Sequence, residues 1–265
     1  MSAIPGTFRL CTVCTEQGCC AVICEDRVRT LRDAGAARVS AVPGIGPVRA
    51  DLAGYIDHTL LKPDATADDV RRLCAEARRY SFATVCVNPV WVGLCAGELR
   101  GTTVGVCSVV GFPFGMHRSN VKAFETSRVV ELGACEVDMV IPVGALRSGD
   151  DDAVLDDIRA VVSAAARRAA VKVILETAYL NDAEKTRAAR LAKSAGAAFV
   201  KTSTGFGPAG ATVEDIRLLR SVIGPAMGVK AAGGIRDTET ARRMVAAGAD
   251  RIGASASVKI VGGGE

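Results

Sequence analysis

The chain has 265 residues, 49% of them hydrophobic and 23% charged, with a formal net charge of +4; that is a folded protein's composition, long enough for one large domain or two small ones. The charge excess is small, no Lys/Arg block stands out and aromatics make up only 4%, so neither nucleic-acid binding nor base stacking is expected. The longest apolar runs, such as 104–112, fall well short of the ~20 residues that span a bilayer, and the N-terminus lacks the continuous apolar stretch of a secretory signal, which makes a cytoplasmic protein with no membrane or nucleic-acid partner the expectation.

Residues 1–50 differ from the rest. Five of the ten cysteines (Cys11, Cys14, Cys19, Cys20 and Cys24) lie here, followed by a Pro/Gly segment, Val42-Pro43-Gly44-Ile45-Gly46-Pro47, that reads as a linker. The cysteines lack the paired spacing of a zinc site, so an irregular extension, or a start-site artefact, is preferred over a metal knuckle. No second Met occurs before Met116, so a later start would need a non-standard codon, at Val42 or Val48 for example. The division expected is an extension over 1–50 and one domain over 51–265. Cys74, Cys86, Cys95, Cys107 and Cys135 are scattered among apolar neighbours, as reduced, buried thiols are. His58 and His117 are the only histidines, too few for a His-rich catalytic metal site.

From Tyr55 onward, short β-branched runs alternate with Ala/Arg/Glu/Leu stretches. The predicted strands are Tyr55–Thr59, Ala83–Val87, Thr103–Val109, Glu136–Ile141, Ala170–Leu175, Ala198–Lys201, Gly228–Lys230 and Arg251–Gly253. Thr66, Asn181 and Thr212 stand where helix N-caps belong, with acids in the turn that follows. Gly133, Gly196 and Gly248 stand where helices end. Eight strand–helix units in about 210 residues predict a (β/α)8 TIM barrel. An open doubly wound sheet is the alternative, weakened because no Gly-x-Gly-x-x-Gly follows the first strand.

A barrel of this kind carries its chemistry at the C-terminal ends of its strands, which directs attention to polar residues closing apolar runs. These are Asp57-His58-Thr59, Cys86 with Asn88-Pro89, Asp138 within Glu136–Ile141, Lys201-Thr202-Ser203, and Lys230 before Ala231-Ala232-Gly233-Gly234. Taken singly, Asp138 reads equally well as half of a buried ion pair, and a lysine closing a strand as a rim residue. Together, two lysines from neighbouring strands in a partly dry site repel each other. Repulsion and desolvation both lower a lysine's pKa, leaving an amine able to attack a carbonyl beside a carboxylate able to move protons. The glycine- and serine-containing loops 202–207, 233–236 and 253–257 suit an anion, with phosphate the first choice after strands seven and eight.

These residues carry a family resemblance. The segments Tyr55-Ile56-Asp57-His58-Thr59-Leu60-Leu61-Lys62-Pro63, Val109-Val110-Gly111-Phe112-Pro113-Phe114-Gly115, Glu136-Val137-Asp138-Met139-Val140-Ile141, Phe199-Val200-Lys201-Thr202-Ser203-Thr204-Gly205-Phe206, Val229-Lys230-Ala231-Ala232-Gly233-Gly234-Ile235-Arg236 and Gly253-Ala254-Ser255 resemble, in order, the 2-deoxyribose-5-phosphate aldolases. The resemblance spans about residues 55–260. It implies reversible cleavage of 2-deoxy-D-ribose 5-phosphate to D-glyceraldehyde 3-phosphate and acetaldehyde, in the catabolism of deoxyribose phosphate, with no metal and no organic cofactor. It implies Lys201 as the Schiff-base lysine, Lys230 as its charged neighbour and a proton donor or acceptor, and Asp138 as the carboxylate of the relay. By the same resemblance Asp57 and Cys86 line the substrate pocket, and Thr202, Gly205, Gly233, Gly234 and Ser255 belong to the substrate and phosphate contacts. Members of the family are often dimers, so a homodimer is open. The sequence departs from the family pattern at Pro142, where Asn is usual, at Ala178, often Cys, and at Ala256, usually a second Ser. The last of these removes a hydroxyl from the phosphate loop.

Two rival readings stand beside this one. The first is a Schiff-base barrel aldolase acting on a keto-sugar phosphate. The second is a barrel that only binds phosphate or serves as a scaffold.

Overall fold

The computed structural model describes residues 52–262; the Cys-rich segment of 1–50 lies outside them. Eight parallel strands close into one barrel in sequence order. They are β1 Ile56–Leu60, β2 Thr84–Val87, β3 Gly105–Val110, β4 Glu136–Val140, β5 Ala170–Ile174, β6 Phe199–Lys201, β7 Gly228–Ala232 and β8 Arg251–Ala254. The helices between and after them are α1 Ala67–Tyr80, α2 Val92–Glu98, α3 Ser119–Glu131, α4 Val143–Arg147, α5 Asp151–Ala165, α6 Asp182–Ser194, α7 Val213–Ile223, α8 Thr238–Ala247 and α9 Ser257–Ile260. This is the (β/α)8 barrel expected. The strand bounds shift by one or two residues: Tyr55, for instance, closes a 3-10 turn ahead of β1.

Alternation along the strands explains the closure. Val85, Val87, Val106, Val137, Met139, Val171, Val173, Val200, Val229 and Ile252 face outward and join the helices in one apolar layer. Their neighbours in sequence face inward, because on a strand successive side chains take opposite faces. The inward set is polar: Asp57, Cys86, Cys107, Asp138, Lys172, Lys201, Lys230 and Arg251 are all buried. Leu61, Cys86, Cys107 and Val109, with Phe112, form a second, small apolar cluster.

The helix ends follow their caps. Thr66 and Asp69 form a reciprocal capping box at α1, and Asn181 and Glu184 do the same at α6. Thr212 accepts from the Asp215 amide at α7. All five cysteines among the described residues are free and buried. No helix among the described residues is long and apolar enough to cross a membrane.

At Gly228 the requirement for glycine is one of space. Gly228 pairs with Phe199 across β6 and β7, and a Cβ at Gly228 would sit 2.1 Å from the Phe199 ring. That ring in turn underlies the Arg251 guanidinium, 5.6 Å away. Gly228→Ala should therefore cost about 1–3 kcal/mol of stability by overpacking. Gly97→Ala, on the exposed face of α2 with nothing within 4 Å of the new methyl, should be neutral or stabilise by up to about 1 kcal/mol. Urea unfolding of the two variants side by side checks both.

Candidate functional site

Asp138 stands at the centre of the barrel interior. Its Oδ2 accepts hydrogen bonds from Lys201 Nζ at 2.8 Å and Lys230 Nζ at 2.7 Å. Its Oδ1 accepts from Lys172 Nζ at 2.8 Å and Cys107 Sγ at 3.2 Å. Strands β3 to β7 thus meet on one carboxylate. Asp57, on β1, lies 2.5 Å from Lys230 Nζ through Oδ2, and its Oδ1 accepts from Arg251 at 2.5 Å and from Thr84 Oγ1 at 2.8 Å. Beneath them Glu136 takes both ends of the Arg251 guanidinium, at 2.8 and 3.0 Å, and lies 2.6 Å from Lys172 Nζ. The predicted residues Lys201, Lys230, Asp138 and Asp57 are therefore brought into one cluster.

The charges decide one another's state. Burial alone would raise the Asp138 pKa; the ammoniums of Lys172, Lys201 and Lys230 outweigh it and hold the carboxyl well below its usual range. Asp57 follows the same pattern, with Arg251 the strongest of the cations holding it down. Burial would also discharge Lys230, and the Lys172 charge works in the same direction, yet Asp138 and Asp57 more than offset both and raise its pKa. Lys172 is likewise raised by Asp138 against the pull of burial. Four cations thus face three carboxylates. Lys201 is the least embedded of the four: it has a single carboxylate partner and is 3% exposed, where Lys172 and Lys230 are fully buried.

Room for this arrangement comes from Gly253, where a Cβ would lie 3.0 Å from Lys230 Cε. The Cys86 thiol, paired in register with Cys107, is fully buried beneath the mouth. Its hydrogen bond with Cys107 pulls its pKa down, against burial.

The loops above the strands place the other predicted residues. Thr202 uses its hydroxyl to tie β6 to the end of β7, donating to the Ala232 carbonyl at 3.2 Å and accepting from the Ala232 amide at 3.1 Å. Gly205, Gly210, Gly233 and Ser203 converge: a Cβ at Gly233 would meet Gly210 Cα at 2.9 Å, Ser203 Cβ at 3.6 Å and Gly205 Cα at 3.8 Å. The Ser203 hydroxyl is buried there without a partner. Gly234 and Ser255 are exposed just beyond β7 and β8. Ser257 does not replace the hydroxyl missing at Ala256, because its own is buried on the Ala254 carbonyl at 2.8 Å. On the other side of the β6 loop, Phe114, Val140, Arg147, Glu176, Tyr179 and Phe206 are among the residues lining a cavity of about 240 Å³.

Among the described residues two donor sets could approach a metal ion: Cys86, Cys107 and Asp138, and Asp57, Cys107 and Glu136, with donor atoms within 4.8 Å of one another in each. In both, every carboxylate is already engaged by lysine or arginine.

Reading only the strand ends missed the lower tier: Glu136, Lys172, Arg251 and Cys107. Its signal was available, since Lys172 is a lone charge inside a run of apolar residues and Arg251 opens another. Glu176 was also missed; it lies just past a strand end and carries no sequence signal of its own.

Lys172→Met should destabilise the barrel by about 3–5 kcal/mol, because three carboxylates lose a buried cation. It should also move acid unfolding to higher pH. Carboxylates with depressed pKa values stabilise the fold above their unfolded value near 4, and that contribution disappears as pH falls through the folded value. Removing a cation raises the folded value, so the loss begins at higher pH. A pH series of thermal unfolding for both proteins checks the shift.

Comparison with known proteins gives the family and the fold. The model of the DeoC/LacD family aldolases matches residues 52–262. The deoxyribose-phosphate aldolase of Bacillus subtilis is 58% identical over 212 residues, covering 80% of this chain and 95% of that protein. That of Bacillus cytotoxicus is 57% identical over 211 residues, with the same coverage of both. Among solved structures, the tetrameric deoxyribose phosphate aldolase from Aeropyrum pernix superposes with a TM-score of 0.75 at 40% identity, over 80% of this chain and 89% of that one.

Proposed function

The chain belongs to the deoxyribose-phosphate aldolases of the DeoC/LacD family, which makes it a carbon–carbon lyase, and we propose that it cleaves 2-deoxy-D-ribose 5-phosphate reversibly to D-glyceraldehyde 3-phosphate and acetaldehyde through a Schiff base on Lys201. The observation that carries this reading is the single oxygen, Asp138 Oδ2, held 2.8 Å from Lys201 Nζ and 2.7 Å from Lys230 Nζ. A nucleophile, an acid and a base at one point are what imine chemistry requires.

Lys201 reacts through its unprotonated amine. Its nitrogen adds to the C1 aldehyde of the open-chain sugar, giving a carbinolamine. Lys230, held charged by Asp138 and Asp57, protonates the departing hydroxyl; water leaves and an iminium forms. Asp138, through a water, takes the proton of the C3 hydroxyl. The C2–C3 electron pair then flows into the iminium, releasing D-glyceraldehyde 3-phosphate and leaving an enamine. Asp138 returns its proton, through the water, to the enamine carbon; a second water then hydrolyses the iminium, which releases acetaldehyde, restores Lys201 and returns a proton to Lys230.

The other residues divide by chemistry. Gly205, Gly233, Gly234 and Ser255 bind the phosphate, and the unpartnered Ser203 hydroxyl supports a polar ligand at that spot, since a buried hydroxyl left unpaired is costly. Phosphate binding supplies remote energy that positions the reacting bond. Cys86 contributes, with Leu61, Cys107, Val109 and Phe112, an apolar wall suited to a two-carbon, uncharged donor. Asp57 acts through Lys230, and Thr202 through the β6–β7 junction. Work in deoxyribose phosphate catabolism within the reducing cytoplasm fits the buried free thiols of the five cysteines among the described residues.

Incubation with acetaldehyde and borohydride, read by intact mass and peptide mapping, should add one ethyl group at Lys201 and nowhere else. Lys201→Ala should lose both the adduct and turnover while keeping its fold, and pyruvate in place of acetaldehyde should leave no adduct. An adduct on Lys230 would reverse the two lysines' roles, and none on folded protein would refute the covalent mechanism.

A further inference from the structure

Glu176 is an unusual residue for its place. It follows the end of β5 and is 4% exposed. Its backbone is left-handed, φ 54° and ψ 62°, a conformation that costs a non-glycine residue about 1 kcal/mol or more and persists only where the surroundings enforce it. Among the described residues no cation lies within ion-pair distance of its carboxylate. A buried carboxylate without a cation is expensive unless hydrogen bonds replace the lost water.

Those hydrogen bonds all come from one residue. Thr204 Oγ1 donates to Glu176 Oε2 at 2.5 Å, and the Thr204 amide donates to the two carboxylate oxygens at 3.3 and 3.2 Å. Thr204 Oγ1 in turn accepts from the Phe206 amide at 3.0 Å. A Cβ at Gly207 would lie 3.0 Å from the Glu176 carboxylate, so the chain also packs directly on it at that point. One carboxylate therefore sets the path of residues 204–207, three to six positions beyond Lys201. Gly205 sits inside this span at φ 88°, exposed and with nothing near a built Cβ. The two sides of the loop differ. Glu176, Thr204, Phe206 and Gly207 line the 240 Å³ cavity, while Gly205 Cα, Gly210 Cα and Ser203 Cβ all lie within 4 Å of the position a Cβ on Gly233 would take, and the Ser203 hydroxyl is buried without a partner.

We infer that Glu176 is a positioning residue for the phosphate end of the substrate, holding the Thr204–Gly207 loop so that Gly205 meets the anion beside Gly233 and Ser203. The inference rests on the phosphate site of the proposed function. The carboxylate serves as a mechanical anchor, through its hydrogen bonds to Thr204. Loosening the anchor weakens phosphate binding and leaves the amine chemistry at Lys201 alone.

The test compares wild type with Glu176→Ala and Glu176→Gln, using inorganic phosphate as the ligand in calorimetry, kcat and KM for 2-deoxyribose 5-phosphate and for unphosphorylated 2-deoxyribose, and borohydride trapping of acetaldehyde at Lys201. In Glu176→Ala, phosphate affinity and KM for the phosphorylated sugar should worsen by about tenfold or more, while trapping and kcat/KM for the unphosphorylated sugar stay within about twofold. Glu176→Gln keeps one acceptor oxygen and should lose less. A parallel loss on both sugars would mean a merely structural role and overturn the inference, as would unchanged phosphate affinity. If Glu176→Ala fails to fold, Glu176→Gln decides on the same readouts. If wild type binds phosphate but does not cleave the sugar phosphate, the functional reading fails, and the phosphate titration of the variants still decides the role of Glu176.

Discussion

One buried carboxylate holding three ammoniums organises this protein. Asp138 can stay ionised in the barrel interior only because Lys172, Lys201 and Lys230 surround it, and those lysines can be buried only because Asp138, Asp57 and Glu136 answer them. Such a network is weak evidence for stability, since desolvation consumes much of what the ion pairs return. Stability comes instead from the apolar layer between strands and helices, which leaves the interior free to be polar.

The network is also asymmetric, and the asymmetry is what chemistry can use. The lower tier of Glu136, Arg251 and Lys172 is closed on itself. Lys230 is clamped between two carboxylates, with Gly253 clearing its path. Lys201 alone of the four cations has one carboxylate partner, and it is the most exposed of them. Above it the loops separate two kinds of surface: an apolar wall from β1 to β3, and the glycines and free serine hydroxyl beyond β6 and β7. A substrate with a small uncharged end and a phosphorylated end matches that division.

Much of this was legible in the sequence, for identifiable reasons. The strands were found because a period of two, as in Val137-Asp138-Met139 or Val171-Lys172-Val173, survives in a barrel whose two faces differ in chemistry. Lys201 and Lys230 were found because they close apolar runs, and Asp138 because it stands amid apolar residues in line with a family pattern. Lys172 and Arg251 were not, because attention to strand ends passes over charges one turn of the barrel lower. What Ser257 does was not legible either: only the turn of α9 shows its hydroxyl spent on Ala254. Glu176 is invisible to pattern reading, since its importance lies in a backbone angle and in Thr204, 28 positions away.

The central claim is that Asp138 moves protons for chemistry on Lys201. Its most direct test is the exchange of acetaldehyde methyl hydrogens for deuterium in D2O, followed by NMR without any sugar phosphate. Exchange needs the imine to lose a carbon-bound proton and regain another as the enamine closes. Wild type should exchange readily, and Asp138→Asn, shown to be folded, should exchange about a hundredfold more slowly or worse. Exchange by Asp138→Asn at the wild-type rate would contradict the account.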